Sequence, residues 1–285
     1  MNGSREDRGT DSDADGKAWL ASVFDRAAPT YDGPAGAYHD HFGERLVELA
    51  GVGPGDAVLD VACGRGAALV PAAARVGASG RVVGVDLSPE MVRLARERSV
   101  AAGITAELAV MDAERLDVPD ASFTVVLCGF GVFFLPDPDR AVAGFRRALA
   151  AGGSIGVSTW GAEDERWAWE DDLLADVSVE RRAVRRPFDD PADLEALLCG
   201  AGFTGVEVRT VDHEVELADA DEWWRWKWSY SLRGLLEQLP QERLDRLRRE
   251  ASERIGVMRA SHGGLPLRLS ALIATGRVQS SAPAS

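Results

Sequence analysis

The segment Val58-Leu59-Asp60-Val61-Ala62-Cys63-Gly64-Arg65-Gly66 constrains the fold more than any other part of this chain. An apolar run of strand length, 57–62, stops on two glycines, and a small-residue stretch of helical character follows to about Val76. A strand that turns on glycine into a helix opens a βαβ unit, and the glycines let a ligand approach the backbone at the strand's carboxyl end. Pro71 falls inside the helical stretch and predicts an irregular early turn.

The alternation continues on both sides. Phe42, Leu46 and Leu49 fall at helical spacing before the glycine-rich turn 51–55. Residues 81–85 read as a second strand; Ser88 is an N-cap with Pro89 at the first helical position, and Gly103 closes that helix. Further strands fall at 106–110, 123–127 and 154–158, the last preceded by a helix over 139–149 that ends at Gly152-Gly153. This order argues for a mostly parallel sheet covered by helices on both faces. After a helix at 193–198, residues 205–217 and 265–278 alternate like strands, with charged helical segments at about 221–239 and 241–259 between them. The expected fold is therefore α/β: a doubly wound, mostly parallel seven-stranded sheet with an antiparallel edge hairpin and a helical cap over 218–264. One domain is expected over 17–278, with lid helices in 17–50. The polar ends 1–16 and 279–285 bury too little apolar surface to offset ordering entropy and are expected as disordered tails.

Formal net charge is −14. That repels phosphate backbones and anionic membrane, so nucleic acid is not an expected partner. Cys63, Cys128 and Cys199 are far apart, and His39, His41, His213 and His262 are scattered, so no metal site is expected. No apolar run approaches the ~20 residues of a membrane span, and the start of the chain is polar and acidic, unlike a leader. The cytoplasm is the expected compartment.

Acidic residues mark the strand tips. Asp60 precedes the glycine turn, where a carboxylate suits an ammonium and repels a pyrophosphate; Ala67-Ala68-Leu69 then supplies no third glycine of a dinucleotide fingerprint. Asp86, twenty residues after Gly66, ends the second strand and can accept from ribose hydroxyls. Asp112 ends the third and can accept from an adenine amino group. Residues 128–136, Cys-Gly-Phe-Gly-Val-Phe-Phe-Leu-Pro, close the fourth strand. Together these motifs resemble the ubiquinone/menaquinone-biosynthesis branch of the class I S-adenosylmethionine-dependent methyltransferases, from Phe24 to about Trp160. The segment Phe24-Asp25-Arg26-Ala27-Ala28-Pro29-Thr30-Tyr31-Asp32 looks like that family's N-terminal lid. The resemblance implies S-adenosylmethionine as cofactor. Gly64 and Gly66 would approach its methionine part, Asp86 the ribose, Asp112 and Ala113 the adenine, and Tyr31 would close over the methionine end. Asp60, Ala62, Leu87, Met91 and Cys128 complete the cofactor-binding set. Ala62 stands where glycine is commoner, a small-for-small change.

For the acceptor, the implied partner is a small organic molecule with a carbon, oxygen or nitrogen nucleophile, from secondary or quinone/isoprenoid-type metabolism; an anionic isoprenoid or diphosphate is the alternative. The candidate pocket comprises Phe24, Phe130, Trp160, Trp223, Trp226, Trp228, Tyr230 and Arg233, since large rings on several helix faces must bury. The same rings, or the N-terminal segment, could instead form a homo-oligomer seam. The basic cluster Arg181, Arg182, Arg185 and Arg186 reads as a solvated face or an anion site. His39 and Tyr31 are the candidates for catalysis. Competing readings are a nicotinamide-dependent oxidoreductase, against which the missing glycine and Asp60 count, and a non-catalytic methyltransferase-like binding protein.

Overall fold

A computed structural model describes residues 7–31, 33, 38–175 and 188–280. The elements run α1 (Asp7–Ala27), α2 (Tyr38–Leu49), β1 (Ala57–Val61), α3 (Leu69–Val76), β2 (Arg81–Asp86), α4 (Pro89–Ala101), β3 (Glu107–Val110) and β4 (Phe123–Gly129). They continue with α5 (Pro138–Ala148), β5 (Leu149–Trp160), α6 (Trp169–Leu174), α7 (Pro191–Gly200), β6 (Thr204–Glu216), α8 (Ala220–Lys227), α9 (Arg233–Leu236), α10 (Gln241–His262) and β7 (Pro266–Arg277). The seven strands lie in the order β3-β2-β1-β4-β5-β7-β6. Strands β1 to β5 are parallel, and β7 runs antiparallel to both β5 and β6. This is the expected doubly wound sheet with an antiparallel edge hairpin.

Strand periodicity sorts the core into two layers. Leu59, Val61, Phe123 and Val126 face α5 and α7 through Val142, Phe145, Leu194 and Leu198. Val58, Val82, Val125 and Leu127 face α2 and α3 through Leu46, Val47, Leu69 and Ala72. Order reverses between β1 and β4, so the crevice at their carboxyl ends is where a ligand belongs. No helix among the described residues is long and apolar enough to cross a membrane.

Several expected boundaries move. Helix α1 starts at Asp7, inside the segment read as a tail; the polar turns there extend a helix whose apolar residues from Leu20 onward pack, and residues 1–6 lie outside the described set. Gly152-Gly153 does not stop the chain before a fifth strand: β5 runs through both from Leu149, with Gly152 at φ +79°. The helix expected over 221–239 breaks after Lys227, where the Ser229 hydroxyl donates to the Trp226 carbonyl at 2.7 Å, and resumes at Arg233. The basic cluster 181–186 and residues 281–285 lie outside the described residues.

The edge hairpin is longer than the sheet it completes. β5 pairs with β7 only as far as Trp160↔Ala271, whereas β6 follows β7 to Glu216↔Pro266. Five residues of β7, roughly 16 Å of strand at 3.3 Å each, therefore project beyond β5 as a two-stranded ribbon carrying α8 to α10 on the carboxyl side.

Helix α2 lies directly on the glycine turn. A Cβ on Gly43 would stand 2.3 Å from the Ala67 carbonyl oxygen and 2.9 Å from the Ala68 nitrogen, both backbone atoms that cannot rotate away. Gly43→Ala is expected to cost about 2–3 kcal/mol, the upper range for overpacking. Urea unfolding would check this; a midpoint equal to wild type would show that α2 and the turn are not in such contact.

Candidate active site

Two adjoining cavities fill the crevice. The larger, about 740 Å³, is lined by Asp86, Leu87, Met91, Asp112, Ala113, Phe134 and Leu135, and by Lys17, Leu20, Ala21 and Phe24 of α1. The second, about 490 Å³, is lined by His39, Gly43, Asp60, Cys63, Arg65 and Ser158. Tyr31, Ala62, Gly64, Gly129 and Phe130 line both, so the two are compartments of one site.

The strand tips position its polar groups. Ser88 caps α4, accepting from the Met91 N–H at 3.1 Å. Asp86 bridges the glycine turn and this cap, accepting from the Gly64 N–H at 2.8 Å and the Ser88 N–H at 2.9 Å. Burial pushes the Asp86 pKa above its ordinary value. Asp112, two residues past β3, is paired with Lys17 of α1 at 2.8 Å, while Lys17 also holds Glu114 at 2.7 Å. Burial opposes the Lys17 charge, and the two acids more than offset it, raising the pKa. Asp25 fastens the same helix to α4, accepting from the Ser88 hydroxyl at 2.5 Å and the Glu90 N–H at 3.1 Å. Helix α1 is thus tied down beside the acidic strand tips.

Asp60 is a strongly perturbed carboxyl. It is 1% exposed, and its Oδ2 is buried without a hydrogen-bond partner. Burial first, and the neighbouring Asp86 second, push its pKa up to about 8. A buried oxygen left in this state fits a site that waits for a donor, and a ligand ammonium is the donor that a carboxylate there would favour. Backbone strain marks the same place. Ala62 (φ +55°) and Phe130 (φ +53°) are non-glycine residues in the left-handed region, one beyond each of the neighbouring strands β1 and β4. Such conformations cost of order 1–3 kcal/mol each and persist where the fold over-determines them.

His39 stacks on Tyr31, ring centroids 4.5 Å apart, and lies 4.1 Å from Tyr38. Phe130 and Trp160 complete the aromatic surround, 4.3 Å from each other. Burial lowers the His39 pKa to about 3, so the imidazole is neutral at physiological pH.

Not every expected site residue reaches a cavity. Cys128 points to the α5 side, because it shares strand parity with Val126; the adjacent Gly129 lines the site instead, and burial pushes the Cys128 thiol up to about 12. Gly66 (φ +90°) closes the turn behind the wall, donating to the Cys63 carbonyl at 2.8 Å. Trp160 sits behind Phe130. Trp223, Trp226, Trp228, Tyr230 and Arg233 line neither cavity. Trp223 and Trp226 are buried in a core with Leu217, Leu247, Ile255 and Leu265 that extends to Tyr38 and Phe42 of α2 and packs against Phe130, because helices carried outside the sheet need an apolar interior. Trp228 packs edge-on against Trp224, and Arg233 pairs with Glu237 at 2.7 Å. Trp226 still touches the site indirectly, donating from its indole N–H to the Tyr38 hydroxyl at 3.3 Å. Lys17, Arg65 and Ser158 are wall residues that motif reading passed over; Arg65 alone carried a signal, as the charged residue between the two glycines of the turn.

Residues 58–153 match a methyltransferase domain family. Over 240 residues the chain is 32% identical to a nocamycin O-methyltransferase of Saccharothrix syringae, spanning 78% of this chain and 85% of that one. It is 38% identical over 148 residues to the aklanonic acid methyltransferase DauC of Streptomyces, covering 52% of this chain and 67% of that one. A ubiquinone/menaquinone biosynthesis C-methyltransferase UbiE of Hydrogenovibrio crunogenus is 36% identical over 144 residues, covering 48% of this chain and 57% of that one. The expected quinone branch is thus one of several lines of likeness. With its strand order, its glycine turn and its acidic strand tips, the chain belongs to the class I S-adenosylmethionine-dependent methyltransferases.

Proposed function

We propose that this enzyme methylates an oxygen nucleophile on a small, flat, unsaturated acceptor, with His39 taking the proton. The observation that carries this reading is a buried imidazole in the wall of the second compartment, held among aromatic rings and stacked on Tyr31, which lines both compartments. The breadth of the match to an O-methyltransferase supports oxygen as the nucleophile.

When bound, S-adenosylmethionine would supply an electrophilic methyl group on a sulfonium, the carbon–sulfur electron pair staying with sulfur as a neutral thioether when the methyl is transferred. Asp112 and Ala113 would hold the adenine, Asp86 the ribose hydroxyls and Asp60 the ammonium. Phe24, Phe134 and Leu135 exclude water from the larger compartment. Phe130 and Tyr31 orient a flat acceptor beside His39, because apolar walls align a ring without consuming hydrogen bonds. As the acceptor oxygen forms its new bond to carbon, its O–H becomes strongly acidic and the electron pair of that bond returns to oxygen. The imidazole lone pair receives the proton, and a weakly basic histidine suffices for so acidic a donor.

His39→Gln is expected to lower turnover by roughly 10²- to 10⁴-fold, with affinity for S-adenosylhomocysteine unchanged. Methyl transfer from radiolabelled cofactor to a panel of hydroxylated naphthoquinones and anthraquinones would measure the first, and calorimetry the second. Equal turnover by variant and wild type would remove His39 from the proton path.

A further inference from the structure

Strand β5 carries three hydroxyl side chains, Ser154, Ser158 and Thr159, all buried. Two of them donate to a backbone carbonyl at 2.8 Å, Ser154 to that of Ala50 just past α2 and Thr159 to that of Phe188. Ser158 is 1% exposed and makes no such bond among the described residues. Its hydroxyl oxygen accepts instead. The Phe130 N–H lies 3.2 Å away and is shared with the Ser158 carbonyl at 3.0 Å. A hydroxyl carries one donor besides its lone pairs, and buried donors in folded proteins are nearly always met.

Strand parity aims that donor. Alternate residues of β5 face α2: a Cβ on Gly156 would stand 3.0 Å from the side chains of Ala50 and Leu46. Ser158, two residues on, faces the second compartment, which Leu46 also lines. Across the sheet Ser158 pairs with Gly129, where even an added Cβ would remain 3.8 Å from the hydroxyl oxygen. The floor of the compartment is therefore built from small residues on both strands, and no side chain of β4 covers the serine there. The same compartment holds His39, edge-on to Phe130 with centroids 6.1 Å apart. Phe130 thus stands between a hydroxyl that can donate and an imidazole that can accept.

We propose that Ser158 binds a carbonyl oxygen of the acceptor, so that the enzyme selects hydroxyketones and hydroxyquinones over phenols of the same shape. This rests on the acceptor reading given above and names a second functional group on that acceptor. A carbonyl only accepts, which suits Ser158 and leaves the acceptor's own hydroxyl for the imidazole. Among aromatic walls, one placed donor also fixes which way a flat ring lies. A phenol without the carbonyl leaves the serine donor buried and unmet.

Calorimetric titration of protein saturated with S-adenosylhomocysteine tests this with 6-hydroxy-1-tetralone and 5,6,7,8-tetrahydro-2-naphthol, which differ in one carbonyl. Wild type is expected to bind the ketone roughly tenfold more tightly, and Ser158→Ala to bind the two alike. Affinity of Ser158→Ala for S-adenosylhomocysteine stays at the wild-type value and reports an intact fold. The thiol of Ser158→Cys, a weak donor, should restore part of the preference. Wild type that binds both ligands equally, or neither, would overturn the assignment, and so would a preference that survives in Ser158→Ala. Weaker binding of S-adenosylhomocysteine by Ser158→Ala would give the hydroxyl to the cofactor and overturn it too. The underlying reading fails separately: wild type that discriminates the two ligands but methylates no hydroxyl would keep Ser158 in its role and remove oxygen methylation.

Discussion

Asp60→Asn is expected to make the ligand-free protein more stable while weakening its hold on the cofactor. The folded carboxyl titrates near pH 8, whereas an unfolded aspartate titrates near its ordinary 3.8. Between those values the native protein keeps a proton that the unfolded chain has lost. The contribution of this group is therefore full below about pH 4 and is lost as pH rises through 8. The gap from 3.8 to neutrality is worth at most about 4.5 kcal/mol at about 1.4 kcal/mol per unit. Coupling to Asp86 and relaxation around the mutant amide reduce the expected recovery to about 2 kcal/mol. Urea midpoints of variant and wild type should coincide near pH 4 and diverge most at pH 8; coincidence at pH 8 would contradict the assignment. Binding reports the same proton. At pH 7 the arriving ammonium ionises Asp60, so the heat of S-adenosylhomocysteine binding should differ between phosphate and Tris buffers in wild type and not in the variant. Affinity should fall roughly tenfold or more with the lost charged partner.

Glu170→Ala is expected to be the most destabilising of the substitutions considered, at about 3–5 kcal/mol, the range for stranding one member of a buried ion pair. Lys227 is 3% exposed, with its ammonium 3.9 Å from the Trp226 ring centroid and 5.1 Å from that of Trp223. Burial alone would lower its pKa; Glu170 at 2.5 Å, with Tyr230, brings it above the ordinary value. The same carboxylate accepts the Trp223 indole N–H, so one side chain fastens α6 to two residues of α8. Adding Lys227→Met to the alanine variant should recover most of the loss, since the uncompensated charge is then gone. A loss below about 1 kcal/mol in the single variant would place the pair outside the set of interactions that hold the cap. Turnover should fall with stability, because Trp226 supports Tyr38 and Tyr38 packs on His39.

The parallel half of the fold was legible because its signals are local. A glycine turn, a Ser-Pro cap and a closing glycine each act within four or five residues, and Ser88 caps α4 as its position predicts. The positions of Asp86 and Asp112 at the crevice followed, since they stand at or just past the ends of strands whose limits those signals define. What failed depends on contacts far along the chain. Nothing near Trp223 says that its neighbours are Glu170 and Trp169. An aromatic helix reads the same whether its rings face a ligand or the protein's own core. Cys128 failed for a different reason: alternation along β4 separates it from Gly129, and strand parity alone would have placed it on the α5 side.

The projecting ribbon divides the molecule into parts that can change at different rates. Residues 58–153, the stretch that matches the methyltransferase domain family, end within the first residues of β5, before the hairpin begins. Substitutions in that stretch must keep the register of five parallel strands and the geometry of the glycine turn. Past Trp160, β7 pairs only with β6, so the ribbon and the helices it carries answer to each other and to α2 rather than to the sheet's interior. A lineage can lengthen, shorten or repack that outboard segment and retain a working cofactor half. Differences in length and sequence within such a family should therefore concentrate in the hairpin insertion, with the strand tips left in place.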